Sequence, residues 1–301
     1  MNDIIIYRFL IVLYWHRRYN YLIGWKIIEE RYLWNVRQNM KTVVITGSTR
    51  GIGLAMAKSF LAAGCQVTLS GRSESFGESA KNELSAYTGK YIYISCNVQL
   101  KSDLQRLWDT SKDTWGQVDI WINNAGQNAP NNFVYETDET YVKQVIETNI
   151  TGMVYGSQVA AKEMLLQNHG AIYSMEGLGS NNMIQKKTIL YGMTKHALTY
   201  FMKGLAEELD GTNVIAGRLS PGMMLTDFIT KTPDGKTAAI EQDKRFQRLF
   251  NILADKPETV AAFFVPRILA NKKNNVQISW LTNRKAAFRF LMAPIIKRKL
   301  L

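Results

Sequence analysis

The stretch TVVITGSTRGIGLAMAKSF, residues 42–60, decides the fold. Thr42 to Thr46 are strand-type residues that run directly into Gly47, Ser48, Thr49, Arg50, Gly51, Ile52 and Gly53. A segment of helical period follows. Glycines at such a strand-to-helix junction let the backbone pass close to a pyrophosphate, while the helix start offers unpaired N–H groups and a partial positive charge. The spacing is GxxxGxG rather than GxGxxG, so its placement carries the signal. It predicts a dinucleotide site in the first β–α–β unit.

Working outward, apolar runs of strand length alternate with helical segments, the pattern of a parallel sheet with crossover helices. Strands are expected at 42–46, 66–70, 91–96, 118–124, 171–175, 213–220 and 277–282. One extended helix is expected from Thr137 to Asn168 and another from Tyr191 to Leu209. The fold class is therefore α/β, a doubly wound parallel sheet of the Rossmann type forming one domain over residues 40–283. The stretch from Gly222 to about Lys256 breaks the alternation. An insertion after a late strand, here the sixth, lies over the carboxyl ends of the strands, which makes it a candidate substrate lid. A plain surface loop is the alternative.

A net charge of +12 would suggest a nucleic-acid partner, but its distribution argues against one. Residues 271–301 carry +8 and residues 1–40 carry +3, which leaves +1 for the whole middle of the chain. Residues 1–39 form an N-terminal extension, read either as an aromatic, basic segment on a membrane surface or as sequence upstream of a start at Met40. Its apolar stretch is too short to span a bilayer. Residues 284–301 alternate Arg and Lys with Phe, Leu, Met and Ile, giving either an amphipathic anchor on an anionic membrane or a solvated helix closing the fold. Cys65 and Cys96, with no secretory signal, indicate a reducing, cytoplasmic setting with peripheral membrane contact as the open addition. His16, His169 and His196 lack ligand spacing, so no metal is expected.

The second strand ends in LSGRSES, where an NAD-specific protein places an acid against the adenosine ribose. Ser70, Gly71 and Arg72 stand there instead. Arg72, with Arg50, offers charge-assisted hydrogen bonds to a 2′-phosphate, so the expected cofactor is NADPH.

A tyrosine and a lysine four residues apart, Tyr191 and Lys195 in YGMTK, share a helix face, where the ammonium can favour the phenolate. Six motifs occur in order: TGSTRGIG, CNV at 96–98, NNAG at 123–126, Asn149 in ETNITG, YGMTK, and SPGMMLT at 220–226. Together they resemble the short-chain dehydrogenase/reductase family over residues 41 to about 230. The resemblance implies that Tyr191 protonates the substrate oxygen. It implies that Lys195 holds the nicotinamide ribose and lowers the tyrosine pKa, and that Asn149 anchors a water feeding protons to the lysine. Asn97 and Val98 would line the adenine pocket, and Asn124, Ala125 and Gly126 would pass along the adenosine-side ribose. Thr226 would meet the carboxamide after the Pro221–Gly222 turn. It further suggests a homodimer or homotetramer.

One position departs from the family. Its usual serine at the end of the fifth strand falls on Gly177. Ser180, eleven residues before Tyr191, is the preferred replacement and Ser174 the other candidate. MEGLGS, the run 250–270 and the ending ISWLTNRKAAFRFL resemble the chlorophyll b reductase branch. The implied activity is NADPH-dependent reduction of an apolar carbonyl, in its sharpest form a chlorophyll-type formyl group, to an alcohol. Alternatives are a 3-oxoacyl or other small-carbonyl reductase or alcohol dehydrogenase of the same family, and a cofactor-sensing regulator without turnover.

Overall fold

The first strand, β1 (Thr42–Ile45), is buried along its whole length. A run of Val43, Val44 and Ile45 suits that position, because a parallel strand covered on both faces has no solvent side to make polar. The computed structural model describes residues 40–226, 230 and 244–300. The other strands are β2 (Gln66–Gly71), β3 (Tyr91–Ser95), β4 (Ile120–Asn123), β5 (Gly170–Met175), β6 (Val214–Ser220) and β7 (Val276–Ser279). They pair in parallel in the order β3-β2-β1-β4-β5-β6-β7. The order reverses between β1 and β4, and a crevice opens beyond their carboxyl ends.

The crossovers hold α1 (Gly51–Ala62), α2 (Glu78–Glu83), α3 (Lys101–Trp115), α4 (Glu139–Ile146), α5 (Gly152–Gln167) and α6 (Ile189–Glu208). Beyond β6 come α7 (Lys244–Leu253) and α8 (Pro257–Ala270), and after β7 comes α9 (Asn283–Met292). One sheet face packs on α1 and α8 through Phe60, Leu61, Phe264 and Val265. The other packs on α3, α5 and α6 through Leu104, Trp108, Met164 and Met202. Each such side chain contributes about 1.5–3 kcal/mol of hydrophobic stabilisation. The seven-stranded parallel sheet flanked by helices on both faces is the Rossmann-type single domain expected from the sequence.

Two elements differ from the expected boundaries in ways that matter for the site. β4 ends at Asn123, and Asn124 has left the sheet to donate its side-chain amide to the carbonyls of Thr46 (3.0 Å) and Gly47 (2.9 Å). The helix expected over 137–168 is interrupted by a π-helical turn at Glu147–Thr151, centred on Asn149. Ile146, Ile150 and Met153 keep helical spacing across this turn, so periodicity does not reveal it. Of the lid, only 222–226, 230 and 244–256 lie within the described residues. The N-terminal extension, 1–39, lies outside them.

Candidate functional site

Backbone geometry builds the first half of the cleft. Gly47 (φ 61°) and Gly51 (φ 58°) take left-handed conformations that side chains disfavour. A Cβ on Gly47 would lie 2.8 Å from Ala125 Cα, and one on Gly53 would lie 2.6 Å from both Asn124 Nδ2 and Gly47 O. The glycine turn can thus nest against the 124–126 loop only without side chains. Thr46 Oγ1 completes the join by accepting from the backbone N–H of Asn124 and of Ala125, each at 3.0 Å. At the start of α1, Arg50 makes no side-chain cap and no acid occupies the first turn. That helix end therefore presents unpaired N–H groups and positive potential to an anion. The cradle fits the pyrophosphate of a dinucleotide.

The cleft encloses about 1380 Å³. Gly47, Thr49, Arg50, Gly51, Ile52, Gly53, Arg72, Val98, Asn124, Ala125, Gly126, Ser180, Tyr191, Lys195, Pro221, Gly222 and Thr226 all line it. Ser48 and Asn97 turn elsewhere. The Ser48 hydroxyl, fully buried, donates to Ile45 O (2.7 Å) and accepts from Ser70 N (2.9 Å), tying the ends of β1 and β2. The Asn97 side chain accepts from Gln99 N (3.2 Å), while the Asn97 backbone N–H donates to Asp103 Oδ2 (2.9 Å). Arg72 is exposed and lines the cleft, as does Glu83, which is paired with Lys58 at 3.2 Å.

The catalytic candidates converge where α6 meets the end of β5. Lys195 is 5% exposed and donates to Met175 O at 2.9 Å. Its Nζ stands 5.8 Å from the centre of the Tyr191 ring. Burial pulls the Lys195 amine down to about 8, against an opposing contribution from the Glu176 carboxylate. Burial also pushes the Tyr191 phenol above its usual value. The phenol thus stands above its usual value, opposite in direction to the expectation from the lysine, with desolvation as the cause. Asn149 accepts from Gln127 N (2.7 Å) and donates to Gln127 O (2.9 Å) and Thr194 Oγ1 (3.1 Å). Its side chain thus pins the 124–127 loop to the π turn and to α6.

Gly177 stands against the tyrosine. A Cβ there would overlap Tyr191 Oη. The phenol fills the space that a serine would need. Ser180 Oγ accepts from Gly177 N (3.2 Å) and donates to Lys195 O (3.1 Å), so its proton is committed to the backbone. Ser174 is fully buried, with Oγ 3.2 Å from Met202 Sδ and 3.4 Å from Asn123 Nδ2. The outer walls hold Met183, Met223, Leu225, Phe246, Leu249 and Leu281. Sequence reading passed over Glu176, which is 2% exposed and lines the cleft. The available signal was an acid at the end of an otherwise apolar strand.

Sheet order, glycine cradle and the Tyr191–Lys195 pair define a nucleotide-binding oxidoreductase of Rossmann type. Residues 41–237 match the short chain dehydrogenase family, and the chain belongs to it, a family of NAD(P)(H)-dependent oxidoreductases. The chain is 32% identical over 276 residues to the probable chloroplastic chlorophyll(ide) b reductase NYC1 of Arabidopsis thaliana, covering 85% of this chain and 53% of that protein. It is 36% identical over 258 residues to the chloroplastic chlorophyll(ide) b reductase NOL of Oryza sativa subsp. japonica, covering 82% and 73%. The chain thus spans about half the length of the first of these relatives. Among solved structures it is similar in fold to a serine dehydrogenase complexed with NADP+, with TM-score 0.68 and 23% identity over 79% of this chain and 94% of that one. Among the described residues no cluster of His, Cys, Asp or Glu could hold a metal, and no helix is long and apolar enough to cross a membrane.

Proposed function

We propose that this chain reduces a carbonyl to an alcohol with NADPH, and that its substrate is large, flat and apolar, in the sharpest version the formyl group of a chlorophyll-b-like pigment. The carrying observation is the cleft, whose roughly 1380 Å³ joins the glycine cradle to a methionine-, leucine- and phenylalanine-lined mouth across Tyr191. Ligand pockets usually hold about 300–1,000 Å³, so cofactor and a bulky substrate can share it. The similarity to chlorophyll(ide) b reductases supports the same reading.

Gly47, Gly51 and Gly53 would admit the pyrophosphate to the start of α1, with Thr49 and Ile52 beside it. Arg72 and Arg50 would take the 2′-phosphate, an arrangement favoured by the pairing of Glu83 with Lys58. Val98 would border the adenine, and Asn124, Ala125 and Gly126 the ribose. Pro221, Gly222 and Thr226 would flank the nicotinamide end, with Lys195 on its ribose. NADPH, when bound, supplies hydride to the carbonyl carbon. Tyr191 gives its proton to the carbonyl oxygen, and Lys195 stabilises the phenolate left behind. Asn149 holds the loop that faces both. Ser180 acts through the backbone of Gly177 and Lys195 rather than by touching substrate.

NADPH with chlorophyll b or its chlorophyllide in detergent tests the reading, through the absorption change of the hydroxymethyl product. No conversion, together with brisk reduction of a short 3-oxoacyl thioester, would favour the small-carbonyl alternative. NADPH binding without turnover of any carbonyl would favour a cofactor sensor.

A second reading concerns partners. Asp255 binds Arg289 (2.7 Å) and Arg298 (2.6 Å), and this clamps the C-terminal segment against the α7–α8 junction. Phe288, Phe290, Leu291, Ile295 and Ile296 remain exposed in that segment, whose stretch 271–301 has no acid. The combination favours contact with an anionic lipid surface. Exposed Leu166 on α5 and Tyr200 on α6 support a homodimer or homotetramer packed through the long helices.

A further inference from the structure

Among the described residues, the cleft contains one buried acid that the proton transfer just described does not use. Glu176 follows the last residue of β5 and precedes Gly177. Its carboxylate is held at both oxygens. Oε2 accepts from Gln277 Nε2 on β7 at 2.6 Å, and Oε1 accepts from Thr199 Oγ1 on α6 at 3.3 Å. Thr199 Oγ1 also lies 3.1 Å from the carbonyl of Lys195, one turn earlier on the same helix. Met175, the residue before Glu176, supplies the carbonyl that accepts from Lys195 Nζ. The β5 end therefore offers the lysine a carbonyl and a fixed negative charge from consecutive residues.

We infer that Glu176 is a positioning residue, the buried counter-charge that keeps Lys195 an ammonium beside Tyr191. The inference rests on the carbonyl-reductase reading for its catalytic consequence, but its electrostatic content stands apart from any substrate. An isolated ammonium is costly to bury and sheds its proton, and a fixed carboxylate nearby offsets that cost. Burial alone drives Lys195 downward, and Glu176 acts in the opposite direction. Among the described residues, Tyr191 stands beside Lys195, His196 follows it on α6, and Arg218 on β6 pairs in register with Ser174 and Gln277. His196 Nδ1 lies 3.3 Å from Gly179 O, and Arg218 turns to Asn275, with Nη2 to Oδ1 at 3.1 Å. Gln277 on β7 and Asn149 at the π turn are neutral. The arrangement also makes β7, distant in sequence, part of the support for the catalytic lysine.

The test uses the full chain labelled with 13C at lysine Cε. The Lys195 signal is assigned by its loss in Lys195→Arg and titrated without cofactor or substrate. Glu176→Gln preserves size but removes the charge and one of the two acceptor oxygens, and it is expected to lower the Lys195 midpoint by about one unit. In turnover assays the alkaline limb of kcat should move down by the same amount, with KM for the carbonyl nearly constant. Glu176→Asp, which keeps the charge one methylene further away, should fall between wild type and Glu176→Gln. It carries the test by itself if the glutamine variant does not fold. A folded Glu176→Gln with an unchanged Lys195 midpoint overturns the inference and leaves the carboxylate as a bridge between β7 and α6. If the wild type reduces no carbonyl, the reductase reading fails, while the titration still decides the part played by Glu176.

Discussion

The two halves of the cleft are built by different means. The cofactor half is backbone and glycine: Gly47, Gly51 and Gly53 nest against 124–126, and a side chain at Gly47 or Gly53 would overlap protein atoms. The substrate half is a set of side-chain relations across distant segments, with Gly177 yielding its space to Tyr191, Ser180 tied to backbone, and apolar residues of 223–225 and α7 facing 178–183. One half is specified by local conformation and tolerates little change. The other is specified by packing, and there the chain departs from its family without losing the tyrosine and lysine.

Substitutions on either side of this divide should behave differently, and the largest effect belongs to the atom both halves share. Tyr191→Phe should lower kcat by about 10²–10⁴-fold, the usual worth of a positioned proton donor, while NADPH affinity stays within a few-fold. Fluorescence titration beside steady-state assays measures both. Activity retained above a few per cent would remove the phenol from the proton-donor role.

Restoring the family's hydroxyl by Gly177→Ser should harm rather than help. The new Cβ overlaps Tyr191 Oη, so the ring must shift, at an overpacking cost of about 1–3 kcal/mol and a loss of roughly tenfold or more in kcat. Thermal unfolding and kinetics of this one variant distinguish a packing-built substrate half from a merely drifted serine. A gain in turnover would show that the phenol has room to yield.

In the cofactor half, Arg72→Asp should raise KM for NADPH about tenfold or more and spare NADH, because the loss is one of charge-assisted hydrogen bonds to a phosphate. Equal use of both cofactors by the wild type would count against the reading of β2. The smallest effect is expected furthest from the cleft. Replacing Phe288, Leu291 and Ile295 together by serine leaves Arg289 and Arg298 on Asp255, and should reduce sedimentation with anionic vesicles roughly fivefold. Undiminished binding would dismiss the lipid contact.

The difference between the halves also governs what could be read in advance. β1 and the glycine turn were legible because strand, turn and helix start are contiguous, and each glycine reports a local backbone need. The Tyr191–Lys195 pair was legible because four residues make one helical turn. The π turn was not, since Glu147–Thr151 keeps the apolar spacing of a regular helix. Nor were the engagement of Ser48 with β2 or the capture of the Asn149 side chain by Gln127. Each depends on a partner more than twenty residues away, or on which side of the backbone a hydroxyl faces after folding.

By itself the sequence determined the sheet, the glycine-rich junction between β1 and α1, the order of the family's motifs and the concentration of positive charge at the ends. Those are properties of period, composition and short-range spacing. Only the tertiary structure decided that Gly177 makes room for the phenol, that burial raises Tyr191 while bringing Lys195 down to about 8, and that Glu176 reaches the lysine's surroundings through β7 and α6. Desolvation and charge pairing depend on what surrounds a group in three dimensions, and that neighbourhood comes from segments as far apart as residues 176 and 277.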